Sequence, residues 1–453
     1  MSIEQIHKVY FVGIGGIGMS ALARYFNHLG AEIHGYDKTE TELTRKLAAE
    51  GMKIHYQDDL RFIPDQIDLV IYTPAIPDDH GELTYFRENE FRLMKRAAVL
   101  GWISQNRKTI AIAGTHGKTT TSSILTHVLK TGGVDCTAFL GGIAQNFASN
   151  FVFGSDNWVV VEADEYDRSF LHLTPKIAVI LSMDADHLDI YGDGGKVVDG
   201  FRAFAQQLRP GGQLFVNDQW VDRLNGLEKI QGEQSTYGQQ NGSYRVEHIR
   251  VENGHFVFDF ESPIENIESI AFTLPGQHNA ENAGAAIAVA QQLGIKGATI
   301  KKALASFKGI KRRFEIIHRN DQHIYIDDYA HHPSELTAAI RAAKTLFPNR
   351  KLTGIFQPHL YSRTRDFLDG FAAALDQLDE LILMDIYPAR ELPIEGITSK
   401  VIFDKMNNPN KTLTTKSQLM ALLSEREIDV LMTLGAGDID TFVDPIKKMM
   451  QNA

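Results

Sequence analysis

The sequence predicts an α/β protein, on the strength of two observations. Short apolar runs alternate with helical patterns along nearly the whole chain, as in proteins built from strand–helix–strand units. Two of these runs, at 9–12 and 108–112, lead through a glycine-rich turn into a helical pattern. The chain has 453 residues, 43% of them apolar, which is enough for two to four domains with sizeable cores.

Three blocks follow one another along the chain. The first, 1–105, opens with the strand candidate Val9–Val12 and continues into a predicted helix at Met19–Leu29. The second, 106–311, opens with the strand candidate at 108–112. The third, 312–453, contains four further strand candidates: His323–Asp327, Leu352–Phe356, Leu381–Asp385 and Val430–Leu434.

The middle block departs from the alternation of strands and helices at one place. Residues 245–251 and 255–260 have the pattern of two strands, joined by Glu252, Asn253 and Gly254. Asn-Gly is a strong signal for a tight hairpin. We therefore expect a small antiparallel ribbon at the edge of the central block.

Bulk properties exclude several classes of protein. The net charge of −11 argues against a general nucleic-acid binder, whose domains are usually basic. The single cysteine, Cys136, excludes an intrachain disulfide, as is usual in a reducing compartment. We find neither a signal-peptide pattern nor an apolar stretch long enough to span a membrane. The expectation is a cytoplasmic protein without membrane insertion.

The first glycine loop matches a dinucleotide-binding fingerprint. Gly13, Gly15, Gly16 and Gly18 lie between a strand and a helix, and Asp37 follows Gly18 by 19 positions (37 − 18). Such a loop lets backbone amides approach a diphosphate closely. A UDP-sugar carries a diphosphate as NAD does, so the loop alone leaves both ligands open, as well as a turn that binds nothing.

The second glycine loop predicts an ATP site. Its Gly-Lys-Thr ending, at 117–119, is that of a P-loop, in which backbone amides cradle phosphates, Lys118 reaches the terminal phosphates and the Thr119 hydroxyl ligates Mg²⁺. The usual pattern has glycine at position 112, where this chain has Ile112, so the loop is a variant. The residues expected to bind ATP here are Gly114, Thr115, His116, Gly117, Lys118, Thr119 and Thr120.

Two acidic segments follow later strands, at 162–165 and 184–189. In a parallel sheet both would end at the same edge as the P-loop, where ligands bind. Carboxylate oxygens of residues such as Glu162 suit Mg²⁺. A histidine is a less usual ligand of this ion, so metal ligation and hydrogen bonding near the phosphates are equally open for His187.

Taken together, these motifs resemble those of the Mur ligases of peptidoglycan synthesis. The resemblance covers essentially the whole chain, and the order and spacing of the motifs make it specific. The matching segments are 114–120, 162–165, 186–189, 276–282, 312–315, 327–333 and 357–365. The last two, with 13–19 and 434–439, are most similar to the branch that joins L-alanine to UDP-N-acetylmuramate.

The resemblance implies an architecture of three domains. A Rossmann-like N-terminal domain would bind the UDP moiety through the first glycine loop. A central P-loop ATPase-type domain would bind ATP, and a Rossmann-like C-terminal domain would close over the site. These domains correspond to the three blocks.

The resemblance also implies roles for the residues of the central block. Lys118 and Thr119 would bind phosphate and magnesium. Glu162 and His187 would ligate magnesium, which decides between the two alternatives for His187. Two further residues, Asn279 and Asn282, would face the adenine.

In the C-terminal block, Arg313 and Asp328 would reach the nucleotide. The incoming amino acid would be surrounded by Tyr329, His331 and Arg363. Leu360 occupies a position where some relatives have arginine, so this pocket has one cation fewer.

The reaction implied is the ATP- and Mg²⁺-dependent formation of an acyl phosphate, followed by attack of the amine of L-alanine. Lys118, Glu162, His187, Arg313 and His331 form the expected catalytic set. His331 and its neighbour His332 could supply a base for the amine or only orient the amino acid, and both interpretations stay open.

Two alternatives compete with this interpretation. A ligase that adds a recycled tripeptide to the same UDP-sugar would share the ATP machinery and differ mainly near 358–364. An NAD-dependent oxidoreductase would use the first glycine loop and leave the second loop, with Glu162 and His187, without a function.

Overall fold

The computed structural model describes residues 3–184, 194–224, 230–389 and 391–452. The chain forms two compact units. The first comprises Met1–Glu247, Asp259–Glu268 and Glu281–Phe307, and the second comprises His248–Phe258, Ser269–Ala280 and Lys308–Ala453. Among the described residues, no helix is long and apolar enough to cross a membrane.

The N-terminal sheet has five parallel strands in the order β3-β2-β1-β4-β5. This order, with helices in the connections, confirms a Rossmann-like domain. The predicted helix begins two residues earlier than expected, at Ile17, directly after Gly16. The elements are β1 Lys8–Val12, α1 Ile17–His28, β2 Glu32–Tyr36, α2 Glu42–Ala49, β3 Lys53–His55, β4 Leu69–Tyr72, α3 Gly81–Glu88, β5 Leu93–Lys95 and α4 Arg96–Gln105.

The central sheet has ten strands in the order β15-β14-β13-β12-β11-β10-β6-β9-β7-β8. Its strands are β6 Lys108–Ala113, β7 Thr137–Ala144, β8 Ser149–Val152, β9 Trp158–Ala163, β10 Ile177–Ile180, β11 Gly212–Asn217, β12 Gly232–Gly238, β13 Tyr244–Glu252, β14 His255–Glu261 and β15 Ile267–Phe272. Its helices are α5 Lys118–Thr131, α6 Gly194–Ala205, α7 Gln277–Gln292 and α8 Gly297–Ala305.

The strand before the P-loop lies between the two strands that carry the acidic segments. β6 pairs in parallel with β9 on one side and with β10 on the other. The prediction that all three strands end at one edge is therefore confirmed. The predicted ribbon is also present as β13 and β14, whose turn residues Asn253 and Gly254 have φ of 51° and 75°, as a type I′ hairpin requires.

The C-terminal sheet has six strands in the order β16-β17-β21-β18-β19-β20. Only β16 is antiparallel to its neighbour. The strands are β16 Glu315–Arg319, β17 Ile324–Asp328, β18 Leu352–Phe356, β19 Glu380–Met384, β20 Lys411–Thr414 and β21 Val430–Leu434. The helices are α9 Pro333–Leu346, α10 Tyr361–Asp366, α11 Leu368–Leu375, α12 Ser399–Lys405, α13 Leu419–Ser424 and α14 Val443–Gln451.

Alternate residues of the C-terminal strands enter two different cores. On β21, Val430, Met432 and Leu434 belong to one apolar cluster, and Leu431 belongs to another. A sheet buried on both faces requires continuous apolar strands. This requirement explains why the four apolar runs predicted in this block are strands, each displaced by at most one residue.

Within the first compact unit, α1 is fixed to the central sheet by a buried polar network. Asn150 of β8 is fully buried. Its amide nitrogen donates to the Ser20 hydroxyl at 2.9 Å, and its oxygen accepts a hydrogen bond from Arg24. Helix α1, which follows the first glycine loop, is thereby held against the central domain, which contains the second glycine loop.

Candidate active site

The P-loop backbone adopts conformations that require glycine. Gly114 and Gly117 have φ of 145° and 83°, in the region that favours glycine. A Cβ on Gly114 would lie 2.9 Å from the Ser182 nitrogen. The loop is tied to the segment after β10, because the Ser182 oxygens accept hydrogen bonds from the backbone of Thr115 at 3.2 Å and of His116 at 2.9 Å.

The ammonium group of Lys118 is held by three acceptors. It donates to the carbonyls of Gly114 at 2.7 Å and Thr115 at 3.4 Å, and to Glu165 Oε2 at 2.7 Å. Burial opposes the charge, but Glu165, Asp164 and Glu162 outweigh it and raise the pKa of Lys118. The lysine is therefore a fixed cation at neutral pH. Glu165, only 2% exposed, is a site residue that the sequence did not single out.

Two oxygen donors of the expected magnesium site lie together. Strand register places Glu162 beside Ile112, two residues before the loop. Glu162 Oε2 lies 3.2 Å from the Thr119 hydroxyl, and its other oxygen accepts from Ser122 at 3.1 Å. A hydroxyl and a carboxylate are hard ligands that fit Mg²⁺. His187, the third predicted ligand, lies outside the described residues.

Further residues of the loop and helix complete this half of the site. The His116 ring lies 3.5 Å from a carboxylate oxygen of Asp184. Thr120 is buried at the start of α5, and the hydroxyl of Thr121 donates to Asn282 Oδ1 at 3.3 Å. The structure thus brings Asn282 to the P-loop helix. Asn279 belongs to the second compact unit, where its amide donates to the Pro275 carbonyl at 2.7 Å.

The first glycine loop is a tight turn that is supported by its own acidic residue. Gly13 has φ of 90°, and its amide donates to the Tyr36 carbonyl at 2.8 Å. Asp37 Oδ2 accepts from the Gly15 amide at 2.7 Å. Asp37 therefore shapes the loop, a role that the sequence interpretation did not include. Gly16 directly precedes α1, and Gly18 lies within its first turn.

In the second compact unit, Asp328 ends β17 and is hydrogen-bonded to the segment that directly follows Arg312 and Arg313. Asp328 is buried and accepts from the amides of Phe314 and Ala330, both at 2.7 Å. Burial raises the pKa of this carboxyl to about 6. The guanidinium groups of Arg312 and Arg313 lie 5.2 and 5.1 Å from the centre of the Tyr329 ring, within cation–π range.

The two adjacent histidines have different environments. His331 Nδ1 lies 3.0 Å from the Tyr329 carbonyl and 3.2 Å from Glu335. Nδ1 is therefore the protonated nitrogen, and Nε2 is the basic one. Burial is the largest influence and lowers the pKa of His331, and the charge of Arg363 acts in the same direction. His332 instead caps α9, where its Nδ1 accepts from the Ser334 amide at 3.4 Å.

The predicted amino-acid residues therefore share one neighbourhood. The rings of Tyr329 and His331 are 5.2 Å apart, and Arg363 acts electrostatically on His331. Leu360, at the position where some relatives have arginine, is buried with φ of 73°. This conformation is uncommon for a residue other than glycine. Its amide donates to the Tyr387 carbonyl at 3.0 Å, which holds the turn before α10.

A P-loop with a fixed lysine and a threonine–carboxylate pair, in a chain that also has two Rossmann-like domains, defines a nucleotide-dependent α/β enzyme. Comparisons with known proteins narrow this class. Residues 8–108 match the catalytic domain of the Mur ligase family, 112–290 the Mur ligase middle domain, and 312–437 the glutamate ligase domain of Mur ligases.

Full-length relatives agree with these matches. UDP-N-acetylmuramate–L-alanine ligase of Flavobacterium psychrophilum is 51% identical, covering 99% of each chain. The enzyme of the same name from Cytophaga hutchinsonii is 48% identical, covering 100% of this chain and 98% of the relative. The crystal structure of UDP-N-acetylmuramate–alanine ligase from Thermotoga maritima has a TM-score of 0.84 at 30% identity, covering 98% of this chain and 99% of that one. The chain belongs to the Mur ligase family.

Proposed function

We propose that this chain joins L-alanine to the lactyl carboxylate of UDP-N-acetylmuramate with hydrolysis of ATP, as a step of peptidoglycan precursor synthesis. The observation that carries the proposal is the P-loop constellation of Lys118, Thr119 and Glu162, in a chain that aligns end to end with ligases of that name. The reaction is cytoplasmic because ATP and the UDP-linked precursor are its substrates.

The reaction proceeds in two steps. The lactyl carboxylate attacks the γ-phosphorus of ATP, giving an acyl phosphate and ADP. The free amine of L-alanine then attacks the acyl carbon, the amide forms, and phosphate leaves together with one proton from nitrogen. The first step brings two anions together, so its catalysis depends on positioning and positive charge.

The P-loop supplies much of this charge. Its backbone amides would hold the phosphates of ATP and Lys118 would neutralise the terminal ones, while Asn279 and Asn282 would contact the adenine. Thr119 and Glu162, with His187, would hold Mg²⁺. When bound, the ion supplies charge neutralisation for the phosphoryl oxygens.

The remaining roles fall to the other two domains. Gly13, Gly15, Gly16, Gly18 and Asp37 would form the binding loop for the UDP moiety. Arg313 and Asp328 would act on the nucleotide, and Tyr329, His331 and Arg363 would hold L-alanine. We propose domain boundaries of 1–105, 106–311 and 312–453.

His331 is proposed as the base that takes the proton of the amine. Its Nδ1 is committed to the Tyr329 carbonyl and Glu335, so Nε2 carries the lone pair. The lowered pKa keeps that nitrogen unprotonated at neutral pH. Arg363, with its planar fork, suits the carboxylate of L-alanine.

The proposal is tested by measuring phosphate release from ATP and Mg²⁺ in the presence of UDP-N-acetylmuramate. L-alanine, glycine, L-serine and a cell-wall tripeptide are added in turn. We expect a strong rate with L-alanine. A rate only with the tripeptide would assign the chain to the recycling branch. Phosphate release without any acceptor would contradict a ligase.

A further inference from the structure

Arg96 lies directly against the first glycine loop. It is the first residue of α4. A Cβ built on Gly18, in the first turn of α1, would lie 3.0 Å from both Cδ and Nη1 of Arg96. Glycine at position 18 therefore makes room for a guanidinium group. This proximity gives Gly18 a function that the sequence pattern does not reveal.

The position of Arg96 is one where a positive charge does not stabilise the folded protein. It is at the N-terminus of α4 and beside the N-terminus of α1, and both helix ends carry partial positive charge. Its ion pair with Asp164 is 3.4 Å long, and the two side chains are 22% and 37% exposed. Partly exposed pairs of this length stabilise little. Asp164 thus compensates the charge of Arg96 only weakly, while the other carboxylate at the loop, Asp37, accepts the Gly15 amide.

We propose that Arg96 binds the diphosphate of the UDP-linked substrate, exchanging Asp164 for the phosphate oxygens. The inference rests on the proposed function and adds a side chain to a loop that otherwise offers backbone amides. The guanidinium fork matches phosphate oxygens geometrically. Because the Arg96 side chain lies 3.0 Å from the position of a Cβ on Gly18, it is within reach of a group bound at this loop.

The ion pair also adjoins the ATP half of the site. Asp164 is followed by Glu165, the residue that holds Lys118. A purely structural role for Arg96 would therefore act through Asp164, and removal of either partner would have the same effect. A role in binding substrate predicts different effects for the two residues, so Asp164→Asn is the matched control.

The experiment measures the affinity of the full chain for UDP and for UDP-N-acetylmuramate by calorimetry at fixed salt. R96A, R96K and D164N are compared with the wild type, and circular dichroism checks folding. We expect R96A to bind both ligands at least roughly tenfold more weakly. R96K should recover part of the loss, and D164N should bind as tightly as the wild type or more tightly.

Three outcomes would overturn the inference. Equal losses in R96A and D164N would make the ion pair structural. Weakened binding of UDP-N-acetylmuramate alone would place the contact of Arg96 on the N-acetylmuramyl part of the substrate and not on the diphosphate. If R96A binds both ligands as tightly as the wild type, and the wild type turns over L-alanine, the role of Arg96 is refuted and the proposed function stands. A wild type that binds neither ligand would instead refute both proposals.

Discussion

At the scale of single residues, the carboxylate of Glu165 decides how the P-loop lysine is presented. Its oxygen is one of three acceptors around the Lys118 ammonium, and the pair is nearly enclosed, at 2% and 17% exposure. A carboxylate at this position holds the amine charged and directed before ATP arrives. The cost is that ATP must bind to a lysine that already has partners.

The Glu165→Gln variant is expected to lower the free energy of unfolding by about 1–3 kcal/mol, because a charged hydrogen bond is lost. The folded-state pKa of Lys118 is raised, so the contribution is fully present below the unfolded value of 10.5 and is lost only as pH rises above it. Chemical denaturation should therefore show a constant difference from pH 7 to 10. Glu42→Gln, in an exposed pair with Lys46, is the control that should change little.

His331 and His332 offer a second test at this scale. We expect His331→Ala to lower kcat by about 10²–10⁴-fold and to remove the acid limb of the pH–rate profile, because the neutral ring is the base. His332→Ala should keep kcat and lose about 0.5–2 kcal/mol of stability as a helix cap. If His331→Ala raises only the KM for L-alanine and leaves the pH profile unchanged, the residue merely orients the substrate.

At the scale of elements, a buried polar cluster joins β1, β3 and α3 of the N-terminal domain. The Tyr10 hydroxyl lies 2.6 Å from Glu82 Oε2 and 2.7 Å from His55 Nε2. The other nitrogen of His55 lies 2.8 Å from the Gln57 carbonyl.

The Tyr10 hydroxyl has one proton and cannot donate to both partners, so the network needs an additional proton on Glu82 or His55. Burial raises the pKa of Glu82 to about 7 and lowers that of His55, which places this proton on Glu82.

The cluster makes the stability of this domain dependent on pH. A raised folded-state pKa means that the contribution of Glu82 is present below its unfolded value of 4.5 and is lost as pH rises through about 7. Glu82→Gln removes this titration. The difference in unfolding free energy between wild type and variant should change by about 3 kcal/mol over that range. Parallel stability curves for the two proteins would contradict the assignment.

A feature of these elements could be predicted from the sequence when neighbouring residues determine it, and not when tertiary contacts do. Both glycine loops, the Asn253-Gly254 hairpin and the apolar strands follow from neighbouring residues. Glu162 and Glu165 look alike in the sequence. The pairing of β9 with β6 places Glu162 beside Thr119, whereas the segment after β9 directs Glu165 to Lys118. Tertiary register makes this distinction, so a linear pattern does not contain it.

The different roles of the two histidines do have a signal in the sequence. Pro333 marks the first turn of α9 and identifies His332 as its cap, so the two histidines could have been separated from the sequence. The hydrogen bond from Gly15 to Asp37 and the proximity of Arg96 to Gly18 join segments far apart in the chain. No local pattern indicates them.

At the scale of the whole molecule, the proposed catalytic cations belong to different compact units. Lys118 lies in the first and Arg313 in the second. Loss of one charge about 4 Å from a phosphate is worth about 4 kcal/mol at an effective dielectric near 20, or about a thousandfold in rate. We therefore expect Arg313→Ala to lower kcat to that extent, and Arg313→Lys to recover part of it.

Binding of UDP separates this effect from misfolding. The glycine loop at 13–18 belongs to the first unit, so Arg313→Ala should bind UDP as the wild type does. Weakened UDP binding would show that the substitution acts through the fold, and an unchanged kcat would remove Arg313 from the catalytic set.

In the proposed reaction, the lactyl carboxylate is activated as an acyl phosphate before L-alanine attacks. The most direct measurement follows oxygen from UDP-N-acetylmuramate labelled with ¹⁸O in both carboxylate positions, using mass spectrometry of the products. Activation as an acyl phosphate predicts one ¹⁸O in the released phosphate and one in the new amide. Phosphate without the label, formed while the amide product accumulates, would contradict it.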